Sequence, residues 1–129
     1  MTMSTENITR ENLSQFHGGG ERFFNPMFHA IEYTEGVAFL NRNGAGWLVD
    51  AILSHLIFTR KVRAENFVCI TLVVKADKNL RHSAKLIFTD GNDDTPVLAR
   101  QNIEYTDFPL VGEIKFFATD RTLMLASEY

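Results

Sequence analysis

The chain has 129 residues with a formal net charge of −3 at pH 7, and 45% of its residues are hydrophobic. That length fits one domain, the apolar fraction is too high for a disordered chain, and a single cysteine excludes internal disulfides. No apolar run approaches the ~18 residues of a membrane span, and the first residues lack the basic and apolar regions of a secretory signal. We therefore expect a cytoplasmic protein without a membrane partner.

The first part of the chain predicts a tail and a short helix. Residues 1–8 are expected to be a flexible tail and residues 9–129 a single domain. Thr9 is a suitable N-cap for a helix through Phe16, because its hydroxyl can accept a hydrogen bond from an amide of the first turn. The glycines at 18–20 end that helix. Without a preceding apolar strand or a following Lys-Ser/Thr pair, they indicate a hinge rather than a phosphate-binding loop.

An aromatic segment and a second helix follow. Pro26 disfavours helix at the residue before it, so the phenylalanines around it are predicted to lie on the core in an extended segment. Thr34 is a suitable N-cap for a helix over residues 35–41, and Asn43 with Gly44 is a typical helix end.

The helix predicted over residues 45–58 is the most apolar element of the chain. On a helical wheel its apolar side chains cover almost the whole circumference, and only Asp50 and Ser54 form a narrow polar strip. We therefore expect this helix to be the central core helix. His55 lies about 140° from Asp50 on the wheel, which excludes an Asp–His pair within this helix.

After residue 66 the period of the apolar residues changes from 3.6 to 2, which predicts strands. We expect five of them, over residues 67–75, 83–89, 97–105, 113–118 and 122–126. The connections are short, and short connections favour antiparallel neighbours. The predicted fold is therefore α+β, with an antiparallel five-stranded meander sheet and two or three N-terminal helices packed on one face.

The sequence offers no constellation of residues for catalysis, and we predict no catalytic residue, no metal and no cofactor. The histidines stand at no zinc-binding spacing with one another or with Cys69. The acidic loop 90–94 lacks the glycine and the final glutamate of an EF-hand and indicates a turn between strands. Cys69 lies among valine and isoleucine and is interpreted as a small buried hydrophobe.

A pocket around the polar strip of the central helix is one candidate site. Its residues are Tyr33, Trp47, Asp50 and Ser54. In an enzyme or a small-molecule-binding protein they would line a cavity with a functional carboxylate. We favour the structural interpretation, in which Asp50 accepts a hydrogen bond from a backbone amide or a tyrosine, because a buried carboxylate must be paired.

The face of the sheet that points away from the core is a second candidate site. Strand alternation gives this face more apolar residues than a water-exposed face normally carries. The candidate interface residues are Phe67, Val73, Ile87, Phe117 and Met124, and Cys69 has the same parity. Two explanations stay open: the Phe-rich N-terminal segment covers this face, or the face docks a protein partner, including a second copy of the chain.

The middle third of the chain is basic, because residues 44–82 carry six basic and three acidic side chains. Weak nucleic-acid binding would use its exposed cations. The candidates are Arg60, Lys61, Arg63, Lys78 and Arg81. A dedicated duplex-binding protein has a stronger basic bias, so we rank nucleic acid below protein as a partner.

Several segments resemble a known family. Tyr-Thr-Glu-Gly-Val-Ala-Phe-Leu stands at 33–40, Gly-Ala-Gly-Trp-Leu-Val-Asp-Ala-Ile at 44–52 and Tyr-Thr-Asp-Phe-Pro-Leu at 105–110. Shorter matches occur at 15–16, 90–92, 123–125 and 127–129. Together they resemble a domain-of-unknown-function family of small bacterial, plasmid and phage proteins, from about residue 13 to the end of the chain.

The resemblance has two departures and implies little about chemistry. The family often has Trp-Lys-Leu where this chain has Ile70-Thr71-Leu72, and a Gly-Thr/Ser-Glu turn where it has Gly18-Gly19-Gly20-Glu21. It lends no activity, catalytic residue or ligand, and it implies a bacterial or phage cytoplasmic setting. The leading hypothesis is therefore a small non-enzymatic module that binds a protein, with an accessory role on a mobile element.

Overall fold

The computed structural model describes residues 8–129 as a layer of helices on one face of a mixed sheet. The helices are α1 (Arg10–Ser14), α2 (Glu35–Arg42), α3 (Gly46–Phe58) and α4 (Arg60–Arg63), with 3₁₀ turns at Pro26–Phe28 and Ala126–Glu128. The strands are β1 (Phe23–Phe24), β2 (Glu32–Tyr33), β3 (Phe67–Ala76), β4 (His82–Thr89), β5 (Ala99–Thr106), β6 (Gly112–Thr119) and β7 (Thr122–Leu125). Most of the predicted tail, residues 1–7, lies outside the described residues, and Ile8 is buried in the core.

The α+β class is confirmed, but the predicted five-stranded antiparallel meander is wrong. The sheet has seven strands in the order β1-β2-β7-β6-β3-β4-β5, and β2 runs parallel to β7. A meander would have left β3 at an edge, whereas β6 pairs with β3 and places it in the middle. β3 carries four fully buried core residues, while most of β5 is exposed. The apolar strand therefore takes two neighbours and the polar strand takes the edge.

The connection between β5 and β6 makes this strand order possible. It crosses one end of the sheet, past the ends of β4 and β3. Phe108 lies in the middle of the connection and is 1% exposed. The backbone of Phe108 is fixed on both sides, because its N–H donates to Thr106 Oγ1 (3.1 Å) and its carbonyl lies 2.7 Å from His82 Nδ1. The crossover is thus a packed element of the core rather than an open loop.

The longer helices lie close to the positions predicted from the sequence. Thr9 caps α1 as predicted, its hydroxyl accepting from the Asn12 N–H at 3.0 Å, although α1 ends at Ser14. Thr34 stands at the N-cap of α2 but its hydroxyl does not cap that helix. α3 is the central core helix, as its apolar circumference predicts. The single turn of α4 falls in the polar stretch after α3, where four residues are too few for a periodic signal.

Candidate functional site

The outer face is the side of the sheet opposite to the helices. Along the long strands, alternate residues are buried in the core and partly exposed on this face. Strand register sets which outer side chains become neighbours. Phe117 of β6 pairs with Cys69 of β3 on one side and with Met124 of β7 on the other. Phe67 lies one step along β3, and its ring centroid is 5.3 Å from that of Phe117.

Tyr129 completes an aromatic cluster on the outer face. Its ring centroid lies 4.9 Å from that of Phe117 and 5.6 Å from that of Phe67, with edge-on geometry in both pairs. Such geometry is favourable for aromatic pairs. Tyr129 is nevertheless 71% exposed, so these two ring contacts leave most of its surface open. We name this surface the outer aromatic patch; its members are Phe67, Cys69, Phe117, Met124 and Tyr129.

The other two candidate interface residues lie outside this patch. Val73 stands between Lys85 of β4 and Glu113 of β6 in the strand register. Ile87 stands next to Arg100 of β5. The structure therefore brings together Phe67, Phe117 and Met124 and places Val73 and Ile87 in a charged half of the same face. Alternation along one strand gives the face of a residue, but its lateral neighbours depend on strand order.

The Phe-rich segment, residues 22–31, packs on the helix side of the sheet. Phe23 stacks on the buried Tyr33, and Phe28 meets Phe58 of α3 edge-on at 6.3 Å. Only Phe24, in the edge strand β1, falls in a register row of the outer face, four strands away from Phe67. Within residues 8–129, the Phe-rich segment therefore does not cover the outer face, which was the first of the two explanations for its apolar character.

The residues of the candidate pocket occupy different environments. Tyr33 is buried in the core against Phe23. Asp50 is exposed and accepts a hydrogen bond from the Asn25 side-chain amide at 3.1 Å, rather than from a backbone amide or a tyrosine. Ser54 is half-buried. Trp47 is also half-buried and lines a depression of about 410 Å³ near the end of β5, together with Tyr105, Thr106 and Asp107.

The basic residues of the middle third form two separate groups. The three on α4 stand near the start of β3, and none of their side chains has a partner in the described part of the chain. Lys78 and Arg81 lie beyond the far end of β3, and ten strand residues span about 33 Å. Arg81 donates to the Tyr105 hydroxyl at 3.0 Å and lies over its ring. The fold therefore does not assemble these cations into one continuous surface.

A buried carboxylate at the end of the chain is the feature that sequence reasoning missed. Glu128 is only 9% exposed and accepts hydrogen bonds from the Thr34 hydroxyl (2.6 Å), the Gly36 N–H (3.1 Å) and the Leu125 N–H (3.0 Å). It thus supplies a carboxylate to the N-terminus of α2, where anions are stabilised. Thr34 and Gly36 lie in the family-like match at 33–40, and Glu128 lies in the match at 127–129. These two matches were the signal that sequence analysis could have used.

The Glu128 cluster also determines where Tyr129 lies. Gly36 has no Cβ, and a Cβ there would approach Glu128 Oε1 to 2.5 Å, so only glycine leaves room for the carboxylate. All oxygens of this site have donors, which is typical of a structural carboxylate. By fixing Glu128, the cluster holds the next residue, Tyr129, on Phe67 and Phe117 of the outer face.

Two further properties bear on chemistry. Within residues 8–129, no three histidine, cysteine, aspartate or glutamate side chains come together in a way that could hold a metal ion. None of the helices in that part of the chain has both the length and the apolar character needed to cross a membrane.

Comparison with known proteins gives a family but no activity. A family model described as a family of unknown function, DUF6876, matches residues 7–129. No curated protein and no solved structure matches the chain. The expected resemblance to an uncharacterised family is therefore confirmed over nearly the whole length.

Proposed function

Because the chain belongs to the family of unknown function DUF6876, which assigns no chemistry, we propose its function from its surface. The protein is a small non-enzymatic protein-binding module, and its outer aromatic patch docks against a second copy of the same chain. The observation that supports this proposal most strongly is the one-sided packing of the fold. The helices and nearly all of the Phe-rich segment lie on one face, and the aromatic residues of the other face are left partly exposed.

The composition of the patch fits an interface. Aromatic residues and methionine are enriched in the centres of protein interfaces, where charged residues are depleted. Phe67, Phe117, Met124 and Tyr129 have that composition, and Tyr129 alone exposes about 140 Å² of surface, taking ~200 Å² for a whole tyrosine. Burial of that area would contribute up to about 3.5 kcal/mol at ~25 cal/mol per Å².

The surroundings of the patch allow a symmetric pairing. A two-fold dimer uses the same surface on both subunits, so one self-complementary patch is sufficient. The adjoining rows carry both signs of charge, with Lys85 and Lys115 beside Glu113. A second copy therefore meets an apolar centre with a mixed polar rim rather than a surface of one charge.

The cellular setting belongs to the same proposal. We place the module in the cytoplasm of a bacterium, as an accessory protein of a mobile element such as a plasmid or an infecting phage. The support is the resemblance of the segments at 33–40, 44–52 and 105–110 to small bacterial, plasmid and phage proteins.

Sedimentation equilibrium on matched lysine variants tests the proposal. We expect the unmodified protein to dimerise, Phe117→Lys to weaken the dimer by about tenfold or more, and Val73→Lys to leave it unchanged. Both variants put the same charge on the same face, but only Phe117 lies in the patch. Tyr129→Ala, which leaves every strand intact, is expected to weaken the dimer as well.

Two outcomes would contradict the proposal. One is an unmodified protein that stays monomeric at millimolar concentration. The other is an equal loss of dimer in Phe117→Lys and Val73→Lys, which would place the contact elsewhere on the face. Circular dichroism of each variant shows whether the fold is retained, and Tyr129→Ala keeps the test decisive if Phe117→Lys fails to fold.

A further inference from the structure

A cleft of about 680 Å³ opens on the helix side of the sheet, where β3 begins and β6 turns into β7. This volume is in the range of small-molecule sites, which is about 300–1,000 Å³. Its floor is formed by side chains of the core, which are at most 7% exposed. They are Leu56, Val62, Val68 and Ala118. The cleft therefore has an apolar floor beneath walls that also carry polar groups.

Two arginines line this cleft, each from a different element. Arg63 comes from α4 and Arg121 from the turn between β6 and β7. The Arg63 guanidinium is exposed and makes no hydrogen bond or ion pair with any residue in 8–129. It is a free cation beside a cavity with an apolar floor, and guanidinium groups bind carboxylates in a two-pronged geometry.

Arg121 is held at the rim by its own backbone and side chain. Its carbonyl accepts from the Glu32 N–H at 2.9 Å, and its Nε donates to the Ala30 carbonyl at 3.2 Å, which leaves the two terminal nitrogens available. Asp120 and Arg121 have φ angles of 52° and 60°, in the left-handed region. Two-residue turns of this kind favour Asn-Gly, so an arginine here adds backbone strain of the sort found at functional sites.

We propose that this cleft binds a small organic carboxylate with an apolar body. Arg63 and Arg121 contact the carboxylate, and the apolar body lies on the floor between α3, α4 and the sheet. Glu65 and Asp120 also line the rim, and their charges disfavour ligands with several negative charges. This site is separate from the outer aromatic patch, because Ala118 of the floor and Phe117 of the patch are adjacent residues on opposite faces of β6.

Titration with 2-naphthoate, followed by amide chemical shifts, tests the site. Acetate carries the charge alone and 2-naphthalenemethanol the apolar body alone, so each serves as a single-feature control. We expect 2-naphthoate to bind about tenfold tighter than either control, with shifts concentrated in α4 and the β6–β7 turn. Arg63→Gln should weaken 2-naphthoate binding by about tenfold and leave the alcohol unaffected.

Two further variants distinguish a failure of the cleft proposal from a failure of the dimer proposal. Arg100→Gln makes the same change on the outer face and is expected to leave 2-naphthoate binding unchanged. Phe117→Lys should also bind 2-naphthoate normally, whatever its oligomeric state. The proposal is overturned if millimolar 2-naphthoate shifts no amides around the cleft, or if Arg63→Gln and Arg100→Gln bind it equally well.

Discussion

Substitution of Glu128 removes a buried acceptor that joins the end of the chain to α2. Glu128→Ala leaves the Thr34 hydroxyl and the N–H groups of Gly36 and Leu125 without their acceptor in a site that is 9% exposed. An unsatisfied buried polar group costs about 1–3 kcal/mol, and part of this cost is relieved because the Thr34 hydroxyl can rotate. We expect a loss of about 3 kcal/mol in the free energy of unfolding.

Glu128→Gln separates the charge from the shape of this side chain. The glutamine oxygen can keep two of the three hydrogen bonds, but its NH₂ group then faces an N–H donor. We expect a loss of about 2 kcal/mol, in line with one hydrogen bond to a charged group. Urea unfolding measures both variants, and slopes of about 1–3 kcal/mol per molar make the expected shifts in midpoint about 0.7–3 M.

An exposed glutamate provides the control for the buried Glu128. Glu32→Gln changes an exposed glutamate of β2 and is expected to alter stability by less than about 0.5 kcal/mol. A double-mutant cycle of Thr34→Val with Glu128→Ala, which removes the shared hydrogen bond from either side, should give a coupling of about 0.5 kcal/mol or more. If Glu128→Ala matched the Glu32 control, or if the cycle showed no coupling, the structural role of the carboxylate would be refuted.

Two further substitutions test how the core is closed. Phe108→Ala leaves a cavity in the packed crossover between β5 and β6 and should lower the free energy of unfolding by about 3–5 kcal/mol, seen as a lower thermal midpoint. A loss below about 1 kcal/mol would mean that the crossover is not part of the core. Gly36→Ala puts a Cβ 2.5 Å from Glu128 Oε1 and 2.6 Å from Leu125 Cδ1, and should destabilise by about 1–3 kcal/mol despite the better helix propensity of alanine. An increase in stability would contradict it.

Local structure was largely predictable, because each long element has a clear period. The run of apolar residues that makes α3 extends over 13 residues, and the alternation that makes β3 extends over the first eight residues of that strand. The two-residue strands β1 and β2 are too short to show alternation. The order of the strands was not predictable from short connections, because a buried crossover let β6 leave β5 and pair with β3.

The candidate site was predictable in part, for the same physical reason. Parity along each strand identified Phe67 and Phe117 as residues of the outer face, and register then made them neighbours. The charged surroundings of Val73 depend on which strands flank β3. Alternation within one strand gives no information about its neighbouring strands. The contact between Glu128 and Thr34 joins residues 94 positions apart, so no local pattern predicts it.

Photo-cross-linking from the exposed aromatic ring at the end of the chain tests the docking of two copies most directly. Tyr129→p-benzoylphenylalanine is prepared in ordinary and in isotope-labelled chains, which are mixed before irradiation. We expect mixed-isotope products that join residue 129 to peptides of β3 or β6 from the other chain. Products confined to single chains, at concentrations where a dimer should form, would show that the outer aromatic patch faces solvent rather than a second copy.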